Sequence, residues 1–265
     1  MNPIYFGTSE KPLFGTYYLP QSNSPRSTGI VLCYPMGQEY LWMHRAYRQL
    51  ATLFTRAGFH VLRFDYYGCG DSGGNSDEGD IAQWLDNIST AIEEMKDSSA
   101  VTKVTLVGFR LGATLSVLAG EERNDVDSLV LWDPVVNGND YLRELVKMHV
   151  KWMENNLPDP NSSYQNNGNL EIMGFPVTSR LQSGLEKINL LNINKQIANK
   201  ICLIESGKTQ TNGQLRDLLK SLTKTLDYRH IPGSKRWVES AGLDPLAVPI
   251  EILQSIVSWA TEASS

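Results

Sequence analysis

Residues 103–120 contain the most constraining feature of this chain, a sharp turn between an apolar strand and a helix. The strand-like run ends at Val107, the turn holds Gly108, Arg110 and Gly112, and a helix-like run covers 111–120. A tight strand-to-helix turn leaves no room for Cβ atoms, so its crowded positions require glycine. We therefore predict a rigid turn at 108–112 with Arg110 at its centre.

Strand-like and helix-like runs alternate along most of the chain. Two short strands come first, at 4–6 and 13–19. The later strands are predicted at 30–34, 60–65, 103–107, 128–132, 201–205 and 228–231, and the helices between and after them at 43–57, 81–96, 111–120, 214–226 and 249–261. This alternation is typical of an α/β protein with helices on both faces of a sheet. We expect a mostly parallel eight-stranded sheet whose first two strands form an antiparallel edge.

Residues 137–195 interrupt the alternation. A helix predicted at 140–154 is followed by an Asn-, Ser- and Pro-rich loop at 155–169 and by apolar runs at 170–175 and 181–191. We interpret 137–195 as a helical lid inserted after the sixth strand. Residues 1–136 and 196–265 then form one core domain.

Charge and cysteine content exclude several kinds of protein. The net charge of −5 argues against a basic nucleic-acid-binding face. Three widely spaced cysteines form neither a disulfide framework nor a zinc pattern, so we expect no metal and no cofactor. No apolar run reaches the ~18 residues of a membrane span, and the first residues lack a signal-peptide pattern. We therefore predict a cytoplasmic protein, for which a homodimer is an open alternative.

The turn and its flanking motifs resemble the α/β-hydrolase superfamily, in particular its serine-aminopeptidase-like branch. The turn corresponds to the nucleophile elbow G-x-S-x-G, and the loop FDYYGCGDSGG at 64–74 fits the same fold. The motifs YPMGQE, GFRLGA and LWDPVVNG are similar to those of hydrolase-like proteins associated with the exosortase system, which also carry an Arg-Leu-Gly elbow. The resemblance covers almost the whole chain and implies the α/β-hydrolase fold.

The resemblance also implies positions for a Ser-His-Asp triad, and the chain departs from the pattern at two of them. Arg110 stands where the nucleophile belongs, and the loop PGSKRWVE at 232–239, where the base belongs, has no His. The acid position falls near Glu205, with Asp133 as the alternative. His149 and His44, both on predicted helices, remain as candidate bases for the cleft, while His230 lies inside a predicted strand.

Two roles for Arg110 stay open at this stage. The resemblance implies an oxyanion site at the backbone N–H groups of Met36 and Leu111, and beside it Arg110 would hold a carboxylate, phosphate or enolate. A buried Arg must otherwise be paired, and Glu39 and Asp133 are predicted at the same edge of the sheet.

Two residues of the glycine-rich loop are minor candidates for a nucleophile. Cys69 would need a cation such as Arg110 to lower its pKa. Ser72 lies in a GDSGG sequence that resembles a chymotrypsin-like motif, but the alternating pattern favours a role in shaping the turn.

These observations give two hypotheses for function. In the first, the protein acts on a small acyl- or ester-type or carboxylate-bearing biosynthetic intermediate without a serine triad. Arg110 and the oxyanion N–H groups would hold the substrate, and Asp133, Glu39 or His149 would move protons. In the second, the protein is a catalytically inactive pseudohydrolase that binds a ligand or a partner protein.

Overall fold

The strands and helices follow the predicted alternation. The computed structural model of the chain describes residues 1–156, 165–166, 169–207, 213–232 and 248–264. The strands are β1 (Asn2–Gly7), β2 (Pro12–Tyr18), β3 (Thr28–Cys33), β4 (His60–Phe64), β5 (Lys103–Phe109), β6 (Ser128–Trp132), β7 (Gln165–Asn166), β8 (Asn169–Ile172), β9 (Phe175–Val177), β10 (Ala198–Glu205) and β11 (Thr223–His230). The helices are α1 (Gly37–Arg56), α2 (Ile81–Ser99), α3 (Leu111–Arg123), α4 (Gly138–Asn156), α5 (Ser179–Glu186), α6 (Gly213–Ser221) and α7 (Ile250–Ala263).

Eight of the strands form one sheet in the order β1-β2-β4-β3-β5-β6-β10-β11. The β1–β2 and β2–β4 pairs are antiparallel. The remaining pairs of this sheet are parallel, namely β4–β3, β3–β5, β5–β6, β6–β10 and β10–β11. Every residue of β3 and β6 is buried, as expected for central strands that helices cover on both faces. Helix α2 packs on α3, and α1 packs on α7. The predicted eight-stranded, mostly parallel sheet is therefore confirmed.

The sequence predicts a helical insertion between β6 and β10, but the insertion also contains strands. It contains α4 and α5, and between them β7, β8 and β9 form a small antiparallel sheet. A 3-10 turn, Leu190–Asn192, follows α5. The apolar run predicted at 170–175 thus lies in β8 and β9, where each short strand satisfies its backbone groups on its neighbour.

The boundary between α6 and β11 also differs from the prediction. The sequence predicts a helix over 214–226, but α6 ends at Ser221 and β11 begins at Thr223. Thr223 and Thr225 are β-branched residues, which favour strands, and they pair in parallel register with Ala198 and Lys200 of β10. Tertiary pairing therefore outweighs the helical periodicity.

The parallel strands end at one edge of the sheet and bring several polar side chains there. Arg110 follows β5, Asp133 follows β6, and Ser206 follows β10. Helix α1 starts at Gly37, earlier than the predicted residue 43, so Glu39 lies in its first turn. Within the described ranges, no helix is both long enough and apolar enough to cross a membrane.

Candidate functional site at the strand-to-helix elbow

Steric crowding fixes the elbow between β5 and α3. A Cβ atom on Gly112 would lie 2.1 Å from the carbonyl oxygen of Cys33, and one on Gly108 would lie 2.4 Å from the backbone nitrogen of Ala113. Arg110 has φ +51°, in the half of conformational space that side chains rarely enter. The two glycines therefore hold α3 against β3, and Arg110 takes the strained position between them.

The guanidinium of Arg110 joins two carboxylates and one aromatic ring. Its Nε donates to Oε1 of Glu39 at 3.0 Å, and its Nη2 donates to Oε2 of Glu144 at 2.5 Å. The guanidinium carbon also lies 5.3 Å from the centre of the Tyr141 ring, within the range of a cation–π contact. Arg110 thus links the elbow to α1 and to the insertion helix α4.

Glu39 is the buried member of this network. Only 5% of its side chain is exposed, and the hydroxyl of Tyr141 donates to its Oε2 at 2.7 Å. Burial raises the pKa of Glu39, although Arg110 and the Tyr141 hydrogen bond oppose the shift. Burial lowers the pKa of Arg110, but Glu39 and then Glu144 outweigh it and the pKa ends above its usual value. Arg110 therefore stays a cation, and its charge favours the ionised form of the buried Glu39.

Glu144 is the exposed member of the network. Its side chain is 53% exposed, and it lies one helical turn after Tyr141 on α4. Neither Tyr141 nor Glu144 is among the site residues predicted from the sequence. A Tyr and a Glu three residues apart on a helix share one face, and this spacing is the only sequence signal that could have found them.

Two helix N-termini meet the elbow. Leu111 is the first residue of α3, and Met36 directly precedes α1 as its N-cap. N–H groups at helix starts have no partner within their own helix. The contact that Gly112 makes with Cys33 shows that the elbow and the segment after β3 are adjacent. An oxyanion site at the N–H groups of Met36 and Leu111 stays a prediction.

Asp133 is held by the neighbouring strand end. Its Oδ1 accepts a hydrogen bond from the backbone N–H of Ser206 at 2.8 Å, and its Oδ2 accepts one from the Ser206 hydroxyl. Burial raises the pKa of Asp133, and the hydrogen bonds from Ser206 oppose that shift. Among the ion pairs of the described residues, Arg110 is joined to Glu39 and Glu144 rather than to Asp133. The φ of +45° at Asp133 marks the sharp turn that follows β6.

The other acid candidate, Glu205, is buried and accepts a hydrogen bond from the Tyr228 hydroxyl at 2.8 Å. The nearby His230 is the last residue of β11, and its Nε2 lies 2.9 Å from the carbonyl oxygen of Gly207. Residues 233–239, which form most of the loop where the resemblance places the base, lie outside the described residues.

The two candidate bases have hydrogen-bond partners outside the Arg110 network. His149 is buried on α4, and its Nδ1 accepts a hydrogen bond from the backbone N–H of Met173 at 3.0 Å. Burial lowers its pKa. His44 lies on α1 with its Nε2 3.4 Å from Nη1 of Arg63. Neither ring is within hydrogen-bond distance of Arg110 among the contacts of the described residues.

The two minor candidates have surroundings that disfavour a nucleophile. Burial raises the pKa of the Cys69 thiol to about 12, and Asp65 adds to the shift. The charge that acts on Cys69 is thus a carboxylate, not the cation that a reactive thiolate would need. The Ser72 hydroxyl donates to the carbonyl of Asp65 at 2.6 Å and accepts from the N–H of Phe14 at 2.8 Å. Ser72 therefore joins β2 to the end of β4, which is the structural role that the sequence favoured.

The described residues provide no metal centre. Within those ranges, no three His, Cys, Asp or Glu side chains are grouped as a metal ion would require. The described groups at the elbow are a guanidinium, two carboxylates, a phenol and backbone N–H groups.

Known proteins share this architecture. The chain matches the family model described as "Serine aminopeptidase, S33" over residues 24–224. No curated protein matches the chain at a significant level. Among solved structures, Est1E of Butyrivibrio proteoclasticus with bound ferulic acid is 17% identical, with a TM-score of 0.65 and coverage of 96% of this chain and 99% of that chain. A proline iminopeptidase of Mycobacterium smegmatis is 10% identical, with a TM-score of 0.66 and coverage of 99% of both chains.

A third solved structure, the mouse alpha/beta hydrolase domain-containing protein 10, is 18% identical, with a TM-score of 0.62 and coverage of 99% of both chains. At such identities the likeness of the three structures shows the fold alone. The family model is the stronger finding because it matches well over half of the chain. The protein belongs to the serine aminopeptidase S33 family of the α/β-hydrolase superfamily.

Proposed function

We propose that this protein binds a small molecule at the elbow and forms no acyl-enzyme, which makes it a pseudohydrolase. The observation that supports this proposal best is the pairing of Arg110, at the nucleophile position, with the buried carboxylate of Glu39. A guanidinium remains protonated and has no lone pair for attack on a carbonyl. The elbow therefore keeps the shape of a hydrolase site and lacks its reactive atom.

The groups that would move protons in a triad-free reaction are already engaged. Glu39 is buried between Arg110 and Tyr141, and Asp133 accepts two hydrogen bonds from Ser206. His149 accepts a hydrogen bond from the backbone of the insertion. General acid–base catalysis needs a group that can reach the substrate directly or through one water. These contacts favour binding over the alternative of catalysis by the same residues.

The elbow still offers donors to a ligand. A guanidinium has five N–H groups, and the contacts with Glu39 and Glu144 use two of those of Arg110. The N–H groups of Leu111 and Met36 are the nearby backbone donors. Such a set suits a carbonyl or carboxylate oxygen, and Est1E, of the same fold, was solved with ferulic acid. We infer that the ligand is a small acyl, ester or carboxylate compound, covered by helix α4 of the insertion, which acts as a lid.

A fluorophosphonate probe tests the absence of acyl-enzyme chemistry. We expect no covalent labelling of the folded protein and no saturable turnover of p-nitrophenyl esters. The matched control is Arg110→Ser, which returns a hydroxyl to the elbow but supplies no base, so it should also stay unlabelled. Labelling at any serine of the wild-type protein, or ester turnover that Arg110→Ala abolishes, would overturn the proposal.

A further inference from the structure

We propose that Glu144 occupies the place of a ligand carboxylate on Arg110, so that the natural ligand is a carboxylate that binds by displacing Glu144. This inference rests on the proposed binding function and names its ligand class. It starts from the unequal surroundings of the two carboxylates that contact one guanidinium.

Glu39 is the permanent partner of Arg110. Its side chain is only 5% exposed, and it accepts a second hydrogen bond from Tyr141. Removing it from Arg110 would leave a buried charge without compensation, which proteins tolerate poorly. Glu144 is 53% exposed, so water can take over its hydrogen bond. Exposed ion pairs contribute little to stability, and a ligand that competes for Arg110 will therefore displace Glu144 first.

Charge balance makes the displacement necessary for an anionic ligand. Arg110 carries one positive charge, and Glu39 and Glu144 carry one negative charge each when ionised. A carboxylate that bound without displacing Glu144 would bring a third negative charge to a single guanidinium. A carboxylate that takes the place of Glu144 leaves the charge at Arg110 unchanged. A neutral ester meets no such requirement, and this difference separates the two ligand classes experimentally.

The displacement involves one side chain and does not require α4 to leave. Tyr141, one turn before Glu144, remains attached to Glu39 by its hydroxyl and stays within 5.3 Å of Arg110 by its ring. The helix is therefore held at Tyr141 while the exposed Glu144 side chain turns towards solvent. The site thus has a fixed wall, made by Tyr141 and Glu39, and one exchangeable carboxylate.

Calorimetric titration of Glu144→Gln tests this inference. The probes are acetate, octanoate and ferulate, each compared with its methyl ester. We expect at least one carboxylate to bind Glu144→Gln about tenfold more tightly than it binds the wild-type protein, with its ester unchanged. The matched control is Asp140→Asn, which removes one negative charge from an exposed position of α4 that pairs with Arg143. It should leave both affinities near the wild-type values.

The outcomes distinguish this inference from the proposed function. Equal carboxylate affinity in the wild-type protein and Glu144→Gln, with binding lost in Arg110→Lys, would overturn the role of Glu144 and leave the binding function intact. No binding of any of the three carboxylates by Glu144→Gln at millimolar concentration would also overturn it. Fluorophosphonate labelling would instead overturn the proposed function itself.

Discussion

Substitution of Arg110 by Met should destabilise the protein strongly, because it leaves Glu39 buried without a cation. Breaking a buried pair by removing one partner costs about 3–5 kcal/mol. The contact with the exposed Glu144 adds little to this figure. For a protein of this size each kcal/mol corresponds to about 2–4 °C in Tm, so we expect a decrease on the order of 10 °C near neutral pH.

The decrease should depend on pH in a defined direction. The folded-state pKa of Glu39 is already raised by burial, and Arg110 lowers it. Loss of Arg110 therefore raises this pKa further above its unfolded value. A carboxyl with a raised folded pKa favours folding at low pH, and that contribution is lost as pH rises through the folded pKa. The deficit of Arg110→Met relative to the wild-type protein should consequently be small at pH 5 and largest at pH 8.

Urea unfolding followed by tryptophan fluorescence measures the free energy of unfolding at pH 5 and at pH 8, and a thermal melt at neutral pH measures the decrease in Tm. The double variant Arg110→Met, Glu39→Gln serves as the control, because it removes the buried charge together with its partner. It should recover most of the lost stability at pH 8, as expected when a buried ion pair is replaced as a whole. Equal deficits at the two pH values, or a double variant less stable than Arg110→Met, would refute the reasoning.

Two further predictions concern the elbow and the cysteines. Gly112→Ala should lower the free energy of unfolding by about 3 kcal/mol, since its Cβ would clash with backbone. Gly213→Ala should be neutral or slightly stabilising in the same urea titration, because no atom of the described residues lies within 4 Å of its Cβ position. Burial raises the pKa values of Cys33, Cys69 and Cys202 to about 12, so a thiol reagent at pH 8 should react slowly with the folded protein. In guanidinium chloride the same reagent should react rapidly with all three thiols. Rapid reaction at Cys69, which is only partly buried, would contradict the raised pKa of its thiol.

The fold could be predicted from the sequence because its signals are local. Alternation of strand and helix patterns gives the parallel sheet, and the glycines at 108 and 112 mark the elbow before any contact is known. The boundary at Thr223 could not be predicted in this way, since pairing with β10 decides it. The small sheet between α4 and α5 likewise depends on pairing between short segments.

The partners of Arg110 were only partly predictable. Glu39 could be found because it follows a strand that ends at the same edge of the sheet as Arg110. Asp133 met the same criterion, but the turn after β6 directs its carboxylate to Ser206 instead. Glu144 gave no such signal. It stands among other charged residues of α4, and only the packing of that helix over the elbow brings it to the guanidinium.

The pairing of Arg110 with Glu39 also limits how this site can evolve. A change of Arg110 to Ser would restore a nucleophilic hydroxyl but would leave the Glu39 carboxylate buried without its cation. A change of Glu39 first would remove the innermost partner of Arg110 and leave it with the exposed Glu144. Whichever position changes first, the intermediate protein is less stable. The two positions therefore behave as one epistatic pair, and a serine at position 110 is tolerated best when Glu39 changes with it.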